Sequence, residues 1–464
     1  MQETAEGSIQ KFTSRGYGIA RIDGGTEFEV AHTLPGDQIL FELTRVKRSP
    51  KKGRLLEVLA SSPDRVEPRC LHARTCGGCC WQQMAYEAQL RQKEERVRHA
   101  FKGHPTLPII PCENPWGYRN KMEFSFSENR AGMRFLGLMI AQAEPYVFNV
   151  TECHLTSRWF TDVLGAVRTW WESSGLKAYY PPNDAGSLRY LTLREGVRTG
   201  QKMAILNVSG NPEFALTRAH LAGCAAAVRG ALAPEESIAI FLRIHQTKKG
   251  RPTQFFEMHL HGPDHILEEL HLEGGKLTFK ISPISFFQPN TLQAEKLYNA
   301  ALSLLPKSPV IYDLYCGTGT LGMAAARFAK QVVGIELSPE SVIDAQENLV
   351  RNGIQNAVIH QGDVGKVLTQ LMGRPDFIRP DAVIVDPPRA GLDDLALHHL
   401  KNLLPRSIVY ISCNPLTQAE NIEALVKAGY RLEKLQPVDQ FPHTYHIENI
   451  ALLRHAGSDL KATT

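Results

Sequence analysis

No run in this sequence approaches the roughly 18–20 consecutive apolar residues that a membrane-spanning helix needs, which speaks against an integral membrane protein and against a membrane partner. The opening stretch Met1-Gln-Glu-Thr-Ala-Glu-Gly-Ser8 lacks the apolar core of a secretory signal, so a cytoplasmic location is expected. Excess charge is also scarce. The chain has 52 Lys and Arg against 48 Asp and Glu, a net +4 over 464 residues, which taken alone argues weakly against a nucleic-acid partner. Internal repeats and low-complexity segments are missing, and 43% hydrophobic with 22% charged residues leaves no room for collagen-like, coiled-coil or broadly disordered readings. What remains is a chain long enough for two to four globular domains with ample cores, and nothing in it implies an obligate protein partner.

Cysteine is present, but in an odd number. Nine cysteines without a secretory signal argue against a disulfide framework, so their spacing is read as metal, cluster or catalytic chemistry. Cys70-x5-Cys76-x2-Cys79 is close-set, with Gly77-Gly78 allowing a tight turn between ligands. A four-thiolate site needs one more ligand. Cys80, Cys112 and Cys153 are the candidates, and Cys80 adjoins Cys79 too closely to point at the same metal. The balanced charge also hides a local extreme: Arg45-Val-Lys-Arg-Ser-Pro-Lys-Lys-Gly-Arg54 carries six positive charges and no acid. One reading is a solvated charged turn. The other is a phosphate contact, in which each neutralised phosphate releases counterions.

Residues 6–60 read as short strands (7–12, 18–22, 27–31, 38–45 and 53–59) separated by Gly, Asp and Pro turns, a pattern suited to a small OB-like barrel with the basic run between its last two strands. A Pro-rich connector at 61–68 leads into the cysteine segment and then a polar helix over 81–102. Residues 105–280 mix strand-like and helical segments. From 281 onward, β-branched runs at 310–312, 332–335, 357–359, 382–385 and 407–411 alternate with helical stretches. Strands this continuously apolar are buried on both faces, which predicts a doubly wound α/β sheet. The expected organisation is a barrel at 1–60, a central α+β domain carrying the cysteines at 61–280, and a Rossmann-like domain at 281–464.

In that last domain Asp313-Leu-Tyr-Cys-Gly317-Thr-Gly319-Thr-Leu-Gly322 follows the first strand and opens a helix over 321–330. The next strand ends in Glu336, where a carboxylate can accept from both hydroxyls of an adenosine ribose. Asp363 either reaches the adenine edge or caps a helix. Asp386-Pro-Pro-Arg389-Ala-Gly391 ends the fourth strand on the ligand-binding edge of the sheet, and its prolines make a rigid loop. Cys413, in Ile411-Ser-Cys413-Asn-Pro415, shares that edge. Phe441-Pro-His443-Thr-Tyr-His446-Ile-Glu448 supplies a carboxylate, Glu448, as a candidate base beside a candidate nucleophile. With no third ligand nearby, loop hydrogen bonding suits the two histidines better than metal binding.

Together with Phe287-Gln-Pro-Asn290, these motifs occur in the same order as in the S-adenosylmethionine-dependent RNA uracil-C5 methyltransferases, which the sequence over 281–450 resembles. The resemblance implies that Cys413 is the nucleophile and Glu448 the base. It puts Gln288, Tyr315, Thr320, Glu336, Asp363 and Asp386 at cofactor-binding positions beside the loop glycines Gly317 and Gly319. The cysteine spacing is similar to that of the 23S rRNA branch, which implies a [4Fe–4S] cluster on Cys70, Cys76, Cys79 and Cys153, with a zinc site as the competitor. Residues 6–60 resemble the TRAM barrel of that branch. Pro115-Trp-Gly-Tyr-Arg119-Asn-Lys121 resembles another family segment, in which aromatic and basic residues contact RNA. The expected activity is therefore uracil-C5 methylation of RNA, 23S rRNA foremost, with a tRNA enzyme and a non-catalytic assembly factor as alternatives. A nicotinamide dehydrogenase would share the glycine loop but leave Cys413, Glu448 and the Asp-Pro-Pro-Arg loop without a purpose.

Overall fold

The computed structural model describes residues 3–22, 25–43, 51–143, 145–247, 250 and 253–457. Strands β1 (Thr4–Phe12), β2 (Gly18–Arg21), β3 (Glu27–Val30), β4 (Gln38–Leu43) and β5 (Lys51–Ala60) close into a barrel in the order β1-β2-β3-β5-β4. Side-chain alternation turns Ile9, Ala20, Phe28, Val30, Ile39 and Phe41 into its small core. A Cβ at Gly53 would lie 2.5 Å from the Phe41 ring, so β5 can cross there only as glycine. Of the basic run, Lys51–Arg54 opens β5, and residues 44–50 lie outside the described residues.

The polar helix is shorter than its pattern predicts. It runs as α1 (Tyr86–Ala100), because tertiary contacts claim the residues before it. The Trp81 indole donates to Gly16 O at 2.9 Å, its ring packs on Phe12, and its backbone N–H donates to His443 O at 3.0 Å. One residue thereby ties the barrel to a loop more than 350 positions away in the chain.

The central segment comprises β6 (Lys121–Glu128), β7 (Arg134–Met139), β8 (Val147–Asn149), α2 (Arg158–Ser174), β9 (Leu188–Glu195), β10 (Lys202–Ser209), α3 (Arg218–Gly230), β11 (Ile238–Gln246) and β12 (Gln254–His261). Its strands form one sheet in the order β12-β11-β10-β9-β6-β7-β8. Phe124, Leu191, Leu206 and Ile240 on one face bury against Phe160, Val163 and Trp171 of α2 and Cys224 and Val228 of α3. The hairpin of β13 (Ile266–Leu272) and β14 (Gly275–Ile281) follows; its Leu270 and Phe279 pack into the core of the next unit.

That unit contains α4 (Thr291–Leu304), β15 (Val310–Leu314), α5 (Thr320–Ala325), β16 (Gln331–Glu336), α6 (Pro339–Arg351), β17 (Ala357–Gln361), α7 (Val364–Met372), β18 (Ala382–Val385), α8 (Asp394–Leu403), β19 (Ser407–Ser412), α9 (Pro415–Val426), β20 (Tyr430–Val438) and β21 (Glu448–His455). The order is β17-β16-β15-β18-β19-β21-β20, parallel from β17 to β19, with β21 antiparallel to both neighbours. Apolar cores cover both faces, as expected for a doubly wound sheet. The sheet order reverses beside β15, the switch point where such sheets bind ligands. Caps start the helices just beyond the strands: Asn290, Ser338, Asp363, Asp393 and Asn414 each accept a first-turn amide of α4, α6, α7, α8 and α9. The helix expected over 321–330 is shorter, ending as α5 at Ala325. Among the described residues no helix is long and apolar enough to cross a membrane.

Candidate active site

The turn after β15 is held in a conformation that few residues adopt. Tyr315, Gly317 and Gly319 have φ of 64°, 55° and 84°; for Tyr315 this is strained backbone of the kind found where a ligand is gripped. Glu336, at the end of the neighbouring β16, holds the turn. One carboxylate oxygen accepts from Gly317 N at 2.9 Å and the other from Ser338 N at 2.8 Å. Asp313 is buried and accepts from Gly322 N at 2.7 Å, and burial pushes its carboxyl up to about 7. A Cβ at Gly322 would lie 2.8 Å from that oxygen, so the third glycine of the motif lets α5 pack on β15.

The reaction centre lies further along the same edge. Strand pairing sets Ser412 of β19 opposite Asn449 of β21, which brings Cys413 and Glu448, their sequence neighbours, together. Gln418 of α9 locks this pairing: its amide donates to Tyr410 O at 2.9 Å and Asn449 O at 3.1 Å, and Asn449 donates back at 2.8 Å. Burial, then the Asp386 charge, raises Glu448 well above the usual carboxylate range, with Arg389 opposing. Burial alone takes Asp386 up to about 7. The Cys413 thiol is pushed up to about 11 by burial and the Glu448 charge, while the hydrogen-bonding Arg389 guanidinium pulls it down. The centre thus gathers a thiol, two carboxyls that stay protonated to unusually high pH, and the Arg389 cation hydrogen-bonded to the thiol.

The loop between β20 and β21 is held from outside the doubly wound unit. Gln89 of α1 accepts from His443 N at 2.8 Å, Trp116 stacks on the His443 ring at 3.9 Å, and Tyr118 donates to Pro442 O at 3.1 Å. Lys93, wholly buried, donates to Asp439 at 2.5 Å and to Phe441 O at 3.0 Å. His446 lies 3.3 Å from Arg389, and burial with that cation pushes its ring down to about 3. Both histidines of the motif are therefore loop residues in hydrogen-bonding and stacking roles. Gln89, Lys93 and Asp439 escaped the sequence reading; the one local sign was that Gln89, Lys93 and Val97 recur four apart on one helix face.

A cavity of about 1060 Å³ joins these parts. Gln288, Tyr315, Gly317, Glu336, Asp386, Cys413 and Glu448 line it, as do Cys70, Cys76, Cys79 and Cys153. Three expected cofactor residues lie off its walls. Gly319 shapes the turn, Thr320 is buried 3.5 Å from the Tyr298 hydroxyl, and Asp363 spends its carboxylate on Lys366 N at 3.1 Å as the cap of α7. The cysteine segments are stitched together: Leu71 N donates to Glu152, His72 bonds Thr151, and Gly77 N donates to Met139 O. Cys80 instead packs with Leu34, Trp81 and Met84, and Cys112 bonds Asn290 and Asn114. The cluster expectation finds no support in the geometry. Among the described residues, no three His, Cys, Asp or Glu side chains converge closely enough to hold a metal ion, and all nine cysteines are unbridged; a metal centre is not evident here, although the four thiols share one wall.

Comparison with known proteins bears on what the cavity does. The sequence model of a family described as tRNA (uracil-5-)-methyltransferase matches residues 257–456. An uncharacterized RNA methyltransferase of Protochlamydia amoebophila is 48% identical over 440 residues, 92% of this chain and 99% of that protein. Another, from Chlamydia trachomatis, is 37% identical and covers 83% of this chain and 97% of its own. The crystal structure of Pyrococcus abyssi tRNA (uracil-54, C5)-methyltransferase in complex with S-adenosyl-L-homocysteine superposes with a TM-score of 0.73 at 25% identity, over 97% of this chain and all of that one. An alignment of that extent takes in most of residues 1–60 as well, so the amino-terminal barrel does not by itself separate an rRNA enzyme from a tRNA enzyme. With a doubly wound sheet, a glycine turn closed by Glu336, and a thiol and a carboxyl paired at the sheet edge, the chain belongs to the S-adenosylmethionine-dependent RNA uracil-C5 methyltransferases.

Proposed function

We propose that this enzyme methylates C5 of a uridine in tRNA, with Cys413 as nucleophile and Glu448 as base. The pairing of Cys413 with Glu448 on one cavity that also contains Glu336 and Asp386 carries the catalytic part. The whole-length likeness to a tRNA enzyme supports the substrate. Uracil C5 is too weak a nucleophile to take a methyl group directly. Addition of the Cys413 thiolate at C6 pushes the ring electrons onto the C4 oxygen, and the resulting enolate makes C5 nucleophilic. When bound, S-adenosylmethionine supplies the electrophilic methyl group. Glu448, having released its own proton to solvent, takes the C5 proton as a carboxylate; the C5–C6 double bond re-forms and Cys413 leaves as thiolate. Arg389, bonded to the thiol, favours the thiolate on entry and on exit. The target base must leave its stack to reach a buried thiol. Gln288, Tyr315, Gly317, Glu336 and Asp386 would hold the cofactor, with Gly319, Thr320 and Asp363 shaping its surroundings.

The second reading, 23S rRNA, draws on the cysteine spacing and the amino-terminal barrel. Under it, Cys70, Cys76, Cys79 and Cys153 hold a [4Fe–4S] cluster that shapes the RNA-facing wall of the central segment 61–280, between the barrel 1–60 and the transfer domain 281–464. The four thiols are unbridged and share the cavity wall, but as placed no three of them converge on one metal position. Zinc without iron or labile sulfide in protein purified under anaerobic conditions would remove the cluster. Mapping 5-methyluridine in tRNA and in 23S rRNA after incubation with labelled S-adenosylmethionine decides the substrate: label confined to 23S rRNA defeats the tRNA reading, and label in neither defeats both.

A further inference from the structure

The face of the central sheet turned away from α2 and α3 is only partly covered. Met203 and Ile205 of β10 and Phe241 of β11 enter the core shared with the transfer unit, and Arg194 of β9 donates to Ser285 O at 2.7 Å. Further along, the character of this face changes. The pairing of β9 with β10 skips a residue between Tyr190 and Leu188, and the extra residue, Arg189, is brought beside Tyr190. A row of π systems results. The Arg189 guanidinium lies 4.0 Å from the Tyr179 ring centroid and 5.9 Å from that of Tyr190. Tyr190 lies 6.1 Å from His245 of β11, and His245 4.7 Å, edge-on, from Phe255 of β12.

Packing alone does not account for this row. Where the face is covered it carries Met, Ile and Phe; here Phe255 is 47% exposed and Tyr190 and His245 are half-buried. Burial and the Arg189 and Arg243 charges push His245 down to about 4, so its ring stacks uncharged. Among the described residues no carboxylate forms an ion pair with Arg189. The stretch joining β11 to β12 reads Thr247-Lys-Lys-Gly-Arg-Pro-Thr253, with three basic residues and no acid. The row also communicates with the catalytic cavity. A groove of about 400 Å³ runs from Tyr190 past Ser125 and Tyr17 to the Gly77-Gly78 turn, and Gly77, Gly78, Glu123 and Leu138 line both groove and cavity.

We infer that Tyr190, His245 and Phe255 form a base-stacking platform for unpaired RNA flanking the target uridine, led out of the catalytic cavity past the Gly77-Gly78 turn. Aromatic faces accept any base, and Arg189 at one end of the row can meet a backbone phosphate, the usual combination for single strands. The inference rests on the RNA-methyltransferase assignment but holds for either substrate.

The test uses the full chain with S-adenosylhomocysteine and two probes: an oligouridine of about twelve residues, within the span such grooves take, and a uridine trinucleotide that fills only the cavity. Tyr190→Leu and Phe255→Ala should each weaken binding of the long probe by about five-fold or more, with the double variant weaker still. Tyr190→Phe should bind like the parent. The trinucleotide affinity and kcat at saturating RNA should not change, which a damaged fold would not permit. Equal affinity of parent and double variant for the long probe overturns the platform and leaves the row as a surface for another partner. Absence of any RNA methylation by the parent would instead count against the assignment on which the inference rests.

Discussion

Asp439 and Glu448 stand at the two ends of one loop, both buried, yet the molecule treats the two carboxyls in opposite ways. Asp439 meets a cation and a hydroxyl: Lys93 at 2.5 Å and Tyr86 at 2.8 Å. Among the described residues Glu448 has no bonded cation, and burial and the Asp386 charge hold its proton on. A buried carboxylate with its charge matched is an anchor. One left unmatched is poised to change protonation state, which a base must do. The same loop therefore separates the work of fixing geometry from the work of moving a proton.

The sharpest way to break this contrast is to remove the functional end. Cys413→Ala should abolish turnover, and Glu448→Gln should lower it by about 10²–10⁴-fold, the range for loss of a general base. The Gln variant can still accept thiol addition and methyl transfer, so a covalent protein–RNA adduct should accumulate and migrate as a slow band on a denaturing gel. Lost turnover without an adduct would take the base role away from Glu448. Neither change should unfold the chain.

The anchoring end should respond in stability. Lys93→Met strands a buried carboxylate and should cost about 3–5 kcal/mol, seen as a lower thermal midpoint and a lower kcat as the loop loosens. Replacing both partners, Lys93→Met with Asp439→Leu, should recover much of that stability, because no charge is then left unmatched. If the single variant melts like the parent, the pair does not anchor the loop.

This division of labour also explains what the sequence could tell. Strands β15 to β19 were legible because each is a continuous apolar run, and the candidate site residues Glu336, Asp386 and Cys413 were legible because they stand at or just after the ends of those runs. β21 was missed: it opens with Glu448 and Asn449, polar residues that are buried because one serves the site and the other pairs with Gln418. The central sheet resisted reading because its order, β12-β11-β10-β9-β6-β7-β8, depends on pairings that no local pattern encodes. Lys93 looked like one more charge on a polar helix. Only its tertiary partner, 346 residues away, gives it a role. Asp363 left two readings open, and the structure shows it as a cap.

A milder perturbation is pH. Asp386 has a carboxyl pushed up to about 7, so it is largely neutral below that value and ionised above it. The cofactor carries a sulfonium cation, which favours the ionised form. Affinity for S-adenosylmethionine should therefore rise with pH through about 7, by about three- to ten-fold between pH 6 and pH 8, and binding near pH 7 should release a proton. Calorimetry in buffers of different ionisation heat would detect that proton. S-adenosylhomocysteine, with a neutral sulfur, should show a weaker dependence, and Asp386→Asn should flatten it. Equal pH dependence for the two ligands would remove Asp386 from the neighbourhood of the sulfonium.

The smallest effect is expected from the basic run of the amino-terminal segment. Cutting residues 1–60 away would be a poor test of RNA binding, because it would uncover Trp81, whose backbone N–H donates to His443 O in the catalytic loop. Charge substitution avoids that damage. Arg45, Lys47 and Arg48 belong to the basic run, and changing all three to Gln should flatten the fall of RNA affinity with salt, by about 0.7–0.9 in the log–log slope for each phosphate no longer neutralised. Affinity for S-adenosylmethionine and the thermal midpoint should stay at the parent values, since the loop and its Lys93 anchor are untouched. An unchanged salt slope would return the run to a solvated turn. A changed cofactor affinity would mean that the run acts on the catalytic loop, which meets the barrel at Trp81 and at Tyr445, packed with Phe12 and Tyr17.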